Sequence, residues 1–269
     1  MDYRSLIEFH LEHGADMTVA VKRMDPNERF GWAVLDDDGR MLEYEEKPAQ
    51  PKSNLASLTI YLANVAPLAQ VLRDLSGRQL IEFGRDVLPA MLERHRVYGW
   101  QFDDYWAYTR TIESYYQAHQ DLLCGRVDLD SWSIRSNLQD SMVAGQPPAH
   151  FAGGANLENS FVSPGCWVEG TVRNSVLSPD VRVERGAVVS GSIIFHRCVV
   201  RAGATVEDAI MDKACEVGVD ARVGQGPTVP RRITLVGKES RIEKGIEVAA
   251  GAVIQPDEVV SSHRTEPGA

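Results

Sequence analysis

From Asn174 onward the chain repeats itself, and no other feature limits its fold as tightly. Three successive 17-residue segments, NSVLSPDVRVERGAVVS, GSIIFHRCVVRAGATVE and DAIMDKACEVGVDARVG, can be written under one another. Their aliphatic positions are Leu177, Val183 and Val189, then Ile194, Val200 and Val206, then Met211, Val217 and Val223. Two residues before each stands a small or slim residue: Ser175, Val181, Ala187, Ser192, Cys198, Ala204, Ala209, Cys215 and Ala221. An earlier partial coil, NSFVSPGCWVEG, repeats the pairing with Ser160 and Val162, then Cys166 and Val168. After the break GQGPTVPRR, at 224–232, the six-residue beat returns at Val236, Ile242, Val248, Ile254 and Val260. This is the hexapeptide signature of a parallel β-helix.

The reason is geometric. Each hexapeptide supplies one short strand and one turn, three make a coil, and coils stack at the strand spacing of about 4.8 Å. The aliphatic fills the prism, and the slim residue faces inward at a corner too tight for a large side chain. A lone coil cannot bury its apolar face, whereas a stack can. Cys166, Cys198 and Cys215 share one repeat position, with Val181 between the first two, so they are expected as an inward column of slim core residues. The four cysteines show no C-x-x-C pairing, so neither a zinc site nor a disulfide scaffold is expected, and a reducing cytosol fits best.

The first half has no such period. Asp2 reads as the N-cap of a helix with Leu6, Ile7 and Leu11 behind it and Gly14 as its stop. Thr18–Lys22, Gly31–Leu35, Met41–Glu45 and Leu58–Leu62 read as strands, and Pro67–Leu75, Asp86–Arg94 and Ile112–Leu123 as helices. That mixture implies part of an α/β layer domain over 1–144. The Pro/Gly-rich GQPPAHFAGG marks a linker, taken as 145–156, with the β-helix over 157–262. The 28 Lys and Arg against 38 Asp and Glu leave a net charge of −10 without a basic patch, which argues against a nucleic-acid partner. Nor is a membrane span or a secretory signal expected, since no run of about 18 apolar residues exists and MDYRSLIEFH lacks an apolar signal region. The expected location is cytoplasmic.

Several stretches, in this order, carry a family resemblance: the opening MDY, RFGWAVLDDDGRMLEYEEKP, ASLTIYL, EFGRDVLP, YWAYTRTIESYYQAHQDLL and the hexapeptides. Together they resemble the glucose-1-phosphate adenylyltransferases (ADP-glucose pyrophosphorylases) of bacterial glycogen biosynthesis, within the sugar-phosphate nucleotidyltransferases. The resemblance implies a partial, Rossmann-like α/β nucleotidyltransferase domain followed by a left-handed parallel β-helix that helps assemble homo- or hetero-oligomers. It implies a reaction of ATP with glucose 1-phosphate, giving ADP-glucose and pyrophosphate with Mg²⁺. Carried over by motif, the sugar-phosphate site comprises Glu46 and Lys47 of EEKP, Ser57 and Tyr61 of ASLTIY, Glu82 and Phe83 of EFG, and Trp106 of YWAY. An ammonium can pair with phosphate, carboxylates can accept sugar hydroxyls, and an indole can cover the ring. Singly, each has a plainer reading as a solvated strand end, a strand residue or core.

The chain also departs from the family. Its start at Met-Asp-Tyr lies beyond the family's glycine-rich triphosphate loop and its Gly-Asp-His-x-Tyr-Lys metal carboxylate, so residue 1 is expected to be a cut edge and no catalytic residue is assigned. The family's second metal carboxylate is replaced by Tyr108, a poor Mg²⁺ ligand, with Asp103 and Asp104 expected as a solvated pair. No metal site is expected, and neither ATP nor Mg²⁺ is expected to bind this chain alone. Three readings follow: a truncated adenylyltransferase inactive by itself, a non-catalytic regulatory or assembly subunit, and a hexapeptide acyltransferase using His196 or His150 as general base. The histidines at 150, 196 and 263 share no repeat register, which argues against a metal site on the helix.

Overall fold

A computed structural model describes residues 1–27, 29–130, 144–224 and 230–265. Contacts divide the chain into two compact units, Met1–Tyr105 and Trp106–Ala269.

The first unit opens with helix α1 (Tyr3–Glu12), whose N-cap Asp2 accepts the Arg4 backbone N–H at 3.0 Å. Gly14, at φ +53°, lets the chain leave the helix in the left-handed region. Only the Leu6–His10 row faces inward; Ile7 and Leu11, expected behind the cap as well, are exposed. They lie on the next row, one residue further round the helix, and α1 meets the sheet along a single stripe.

Five strands follow: β1 (Met17–Arg23), β2 (Gly31–Leu35), β3 (Met41–Glu46), β4 (Leu55–Ala63) and β5 (Val97–Gln101), in the order β3-β2-β4-β1-β5. Only β1 and β5 run parallel. The strand β5, VYGWQ, is absent from the sequence reading because its mixed pattern has no clean alternation. Helix α2 (Val65–Leu75) matches expectation, whereas the helix expected at Asp86–Arg94 is a π-helical turn, Phe83–Val87, running into α3 (Leu88–Arg94). Met17, Val19 and Val21 of β1 pack with Val71 and Leu75 of α2 and Leu88 and Met91 of α3 in one core. In β4 the pairing jumps, since Val19 opposes Tyr61 but Val21 opposes Ser57. The additional residues form a bulge around Thr59, whose φ is +58°.

The second unit holds α4 (Ile112–Leu123), closed by a reciprocal Thr111–Ser114 cap, and the parallel β-helix. Its strands form three parallel sheets, of seven, six and six strands. The inward columns follow the repeat register; one runs Val168, Val183, Val200, Val217, Ile242 and Val260, all buried. Cys166, Val181, Cys198 and Cys215 are buried at one corner, as expected. Each of these thiols reaches a carbonyl, Cys166 donating to Ser178 at 3.1 Å and Cys198 to Asp212 at 2.9 Å. Burial pushes the Cys166 thiol pKa up. Cys124, outside the repeat, is exposed.

Two boundaries differ from the sequence division. The first β-helix strand, His150–Phe151, pairs with Trp167–Val168 inside the stretch assigned to a linker, and at the other end Arg264 still bridges to Val248. Contacts also assign α4 to the second unit, although it precedes residue 144. One β-helix sheet explains this. Its outward residues Phe161, Val176, Ile193, Ile210, Leu235 and Val253 are in register and all apolar. Ile193 is only 2% exposed although it points away from the prism. Beside it the Tyr116 hydroxyl of α4 donates to the Gly191 carbonyl at 2.6 Å, and the Tyr115 and Phe195 rings stack at 6.5 Å. The break at 224–232 lies mostly outside the described residues; stacking resumes at Thr234–Val236, paired with Ala209–Met211.

Candidate functional site

In the first unit the C-terminal end of β3, the bulged β4 and the π-helical turn converge. Glu46 closes β3, and Lys47 turns the chain at φ +48° while its backbone N–H holds the Phe30 carbonyl at 3.1 Å. The Lys47 ammonium lies 3.6 Å from Glu46 Oε1 and is largely solvated. The other carboxylate oxygen, Oε2, accepts a 2.8 Å hydrogen bond from the Tyr44 hydroxyl. A Cβ on Gly84 would fall 2.2 Å from that same oxygen and 3.1 Å from the Tyr44 hydroxyl. Glycine at 84 therefore lets the π-helical turn press against the Glu46 carboxylate. Gly31 serves the other side of Tyr44, since a Cβ there would meet its hydroxyl at 1.8 Å.

The β4 bulge directs two further residues here. Tyr61 packs against Phe83 with ring centroids 4.5 Å apart and planes tilted by 31°, and Ser57 is buried. Burial raises the pKa of Tyr44, reinforced by its bond to Glu46, and burial likewise raises that of Tyr61 while hydrogen bonding with Ser57 pulls it back. Both phenols thus stay protonated and able to donate across the physiological range. Behind the turn, Asp86 Oδ2 accepts the Glu82 backbone N–H at 2.8 Å and pairs with Arg85 at 3.0 Å; Arg78 holds its other oxygen at 2.5 Å. The Glu82 backbone bond, then Arg85, holds the Asp86 carboxyl below its usual range. Arg85 also lies 3.4 Å from Glu82.

Of the seven residues carried over by motif, Glu46, Lys47, Ser57, Tyr61, Glu82 and Phe83 fall in this unit, and Trp106, half-buried, is the first residue of the other. Sequence reasoning missed Tyr44, Gly31 and the positioning roles of Gly84 and Asp86. A signal for Tyr44 existed, for it lies two residues before Glu46 on the same face of β3.

The donors present do not fit a metal ion. Among the described residues no group of three or more His, Cys, Asp or Glu side chains can hold one. Mg²⁺ takes hard oxygens in near-octahedral array, and Tyr108 offers a phenol where the resemblance implies a carboxylate. Asp103 and Asp104 are exposed, and Asp104 uses a carboxylate oxygen on the Tyr105 backbone N–H at 2.7 Å. On the β-helix, His150 stacks on Trp167 at 4.0 Å, and His263 Nδ1 accepts the Glu247 backbone N–H at 3.0 Å. No described helix is long and apolar enough to cross a membrane.

Comparison with known proteins agrees with this layout. Residues 1–124 match the family described as nucleotidyl transferase, and residues 147–242 match the one described as GlmU-like, C-terminal hexapeptide. The glucose-1-phosphate adenylyltransferase of Thermomicrobium roseum is 38% identical over 96% of this chain and 63% of its own length. That of Desulforamulus reducens is 33% identical over 96% and 65%, and that of Acetivibrio thermocellus 30% over 95% and 63%. The chain thus spans slightly less than two thirds of the length of these relatives. A nucleotidyl transferase match followed by a hexapeptide match, and relatives that share one name along nearly the whole chain, give the conclusion: the chain is homologous to the glucose-1-phosphate adenylyltransferases, with a nucleotidyltransferase part followed by a hexapeptide-repeat β-helix.

Proposed function

We propose that the first unit supplies the sugar-phosphate side of a glucose-1-phosphate adenylyltransferase and that these 269 residues alone do not transfer the nucleotide. The observation that carries the reading is the Glu46 carboxylate, held by the Tyr44 hydroxyl at 2.8 Å against Gly84, beside the packed Tyr61 and Phe83 rings. A carboxylate locked in this way accepts sugar hydroxyls without first losing its own freedom. Lys47 meets the phosphate as a compact, solvated cation, Glu82 adds a second acceptor, and Ser57 helps orient Tyr61. In the complete reaction Mg²⁺ and ATP supply the activated α-phosphate, and donors suited to that task are lacking among the described residues.

Calorimetric titration of the purified chain with glucose 1-phosphate tests the reading. Saturable binding, weakened about tenfold or more in Lys47→Ala through loss of a charge-assisted contact, is expected. Absence of binding, or a Lys47→Ala variant that binds equally well, would remove the assignment. A parallel assay with ATP, Mg²⁺ and glucose 1-phosphate is expected to release no pyrophosphate; robust release would overturn the second half of the proposal.

Tyr108 supports a second reading, in which the chain is a non-catalytic partner that assembles with a complete subunit through its β-helix. Co-purification with a full-length relative would establish it, and a strict monomer at high concentration would count against it.

A further inference from the structure

The candidate sugar-phosphate site contains two carboxylates, and they are held in different ways. Glu46 has the Tyr44 hydroxyl and Gly84 against it. Glu82 stands at the start of the π-helical turn with its side chain about half exposed, and among the described residues it has one charged partner, Arg85, at 3.4 Å. An exposed pair of that kind contributes little by itself, because two long side chains must be ordered to make it.

Arg85 is already ordered by a second contact. Its Nη2 lies 3.0 Å from Asp86 Oδ2, and the Asp86 side chain is only 6% exposed. The same Asp86 oxygen accepts the Glu82 backbone N–H at 2.8 Å, while Arg78 holds Oδ1 at 2.5 Å. Asp86 in turn donates its own backbone N–H to the Glu82 carbonyl at 2.9 Å. One buried oxygen thus fixes Glu82 twice, directly at its backbone and through the guanidinium at its side chain. Along the line Arg78, Asp86, Arg85, Glu82 the charges alternate, so each carboxylate faces a guanidinium and the buried one is compensated.

A guanidinium suits this bridge. Nη1 meets Glu82 and Nη2 meets Asp86, two nitrogens of one rigid planar fork, whereas a lysine ammonium is a single point charge on a flexible stem. With Arg85 anchored, Glu82 has less freedom to lose when it accepts a hydroxyl, the same advantage that Tyr44 gives Glu46.

We propose that Arg85 is a positioning residue of the sugar-phosphate site: it passes the fixed position of Asp86 on to the Glu82 carboxylate and so sets how tightly that carboxylate holds the sugar. The inference rests on the sugar-phosphate reading of the first unit, in which Glu82 accepts a sugar hydroxyl.

The test is a double-mutant cycle of Arg85→Met and Glu82→Gln, read by calorimetric titration of the whole chain with glucose 1-phosphate. Methionine keeps an unbranched stem and removes the fork. Expected are a weakening of about fivefold for Arg85→Met in the parent and of under about twofold in the Glu82→Gln background, where no carboxylate remains to be held. Circular dichroism checks that each variant is folded. If Arg85→Met is not, Arg85→Lys carries the same cycle, with an expected weakening of about threefold because one ammonium cannot bridge both carboxylates. A parent chain that fails to bind glucose 1-phosphate removes the sugar-phosphate reading and this inference with it. A parent that binds, with a folded Arg85 variant of equal affinity, leaves that reading in place and overturns the role of Arg85 alone. Equal weakening in both backgrounds also overturns it, for Arg85 would then act without Glu82.

Discussion

The two units bury their apolar residues by opposite rules. In the second, every inward side chain sits at a fixed step from the last, and its neighbours above and below belong to adjacent coils of the same repeat: Val183 beneath Val200, Val200 beneath Val217. In the first, Met17, Met41, Val71 and Met91 meet in one core from four different elements with no common spacing. Regularity makes a stiff rod whose surface can vary rung by rung, yet its interior admits little besides slim and aliphatic residues. Irregularity costs legibility, and it allows the convergence of β3, a bulged β4 and a π-helical turn on one carboxylate. Of the residues proposed for the sugar phosphate all but Trp106 lie in the aperiodic unit, where side chains from distant positions are brought to one point.

The strongest way to break this contrast is to attack the periodic core. Val200→Asp places an unpaired charge in the middle of the stack, where Val183 and Val217 leave no partner, and is expected to cost about 4 kcal/mol or more and unfold the β-helix. Loss of its β-signal in circular dichroism, with denaturant titration, checks this. Survival of the cooperative transition would mean that coils tolerate local opening better than a continuous core should.

Next comes the pin between α4 and the β-helix. Tyr116→Phe removes the hydroxyl bonds to Gly191 and Asp208 and is expected to destabilise the second unit by about 1–3 kcal/mol, measured by chemical denaturation. Burial, then the Asp208 charge, raises the folded-state Tyr116 pKa above the unfolded value of about 10. The tyrosine's contribution is therefore complete below that pH and is lost as pH rises toward the folded value. The variant should accordingly lose less stability than the parent between neutral pH and pH about 11, and equal alkaline slopes would sink this account.

A smaller effect tests the aperiodic unit. Gly84→Ala drives a methyl into the space of Glu46 Oε2 and should weaken glucose 1-phosphate binding about tenfold, equivalent to about 1.4 kcal/mol, while leaving the thermal transition almost in place. Unchanged affinity would show that the position of Glu46 is not set by the turn.

The smallest test concerns a corner. Ala214 sits at φ +56°, in the column where Asp180, Arg197, Glu239 and Asp257 are also left-handed. Replacing it by glycine relieves left-handed strain and is expected to stabilise the β-helix by about 0.5–1 kcal/mol, seen as a higher midpoint in thermal melts. A lower midpoint would show that the corner favours the alanine methyl.

Legibility tracks these same rules. The cysteine column could be read because three residues 17 or 32 apart fall on one repeat position. The outward apolar row is equally legible: Val176-Leu177, Ile193-Ile194, Ile210-Met211, Leu235-Val236 and Val253-Ile254 are adjacent apolar pairs, the mark of a strand covered on both faces. That pattern tells that the outer face is covered, though not by which element. Around the candidate site, the motif residues could be named and Tyr44 left a period-two signal beside Glu46, but the packing role of Gly84 left none. That role comes from a contact across 38 residues of chain, between Glu46 and Gly84, and no local period records such a distance.

By itself, then, the sequence determined the β-helix, its register, its slim corners and most elements of the α/β unit, β5 and the π-helical turn excepted, because strand, turn and stack are each set by neighbours a few residues away or one repeat away. Tertiary structure decided which helix the β-helix claims, where β5 pairs, how the bulge at Thr59 aims Tyr61, and that Glu46 is held between a phenol and a glycine. Those outcomes depend on which surfaces remain unburied once the local pieces exist, a choice made by packing among distant residues.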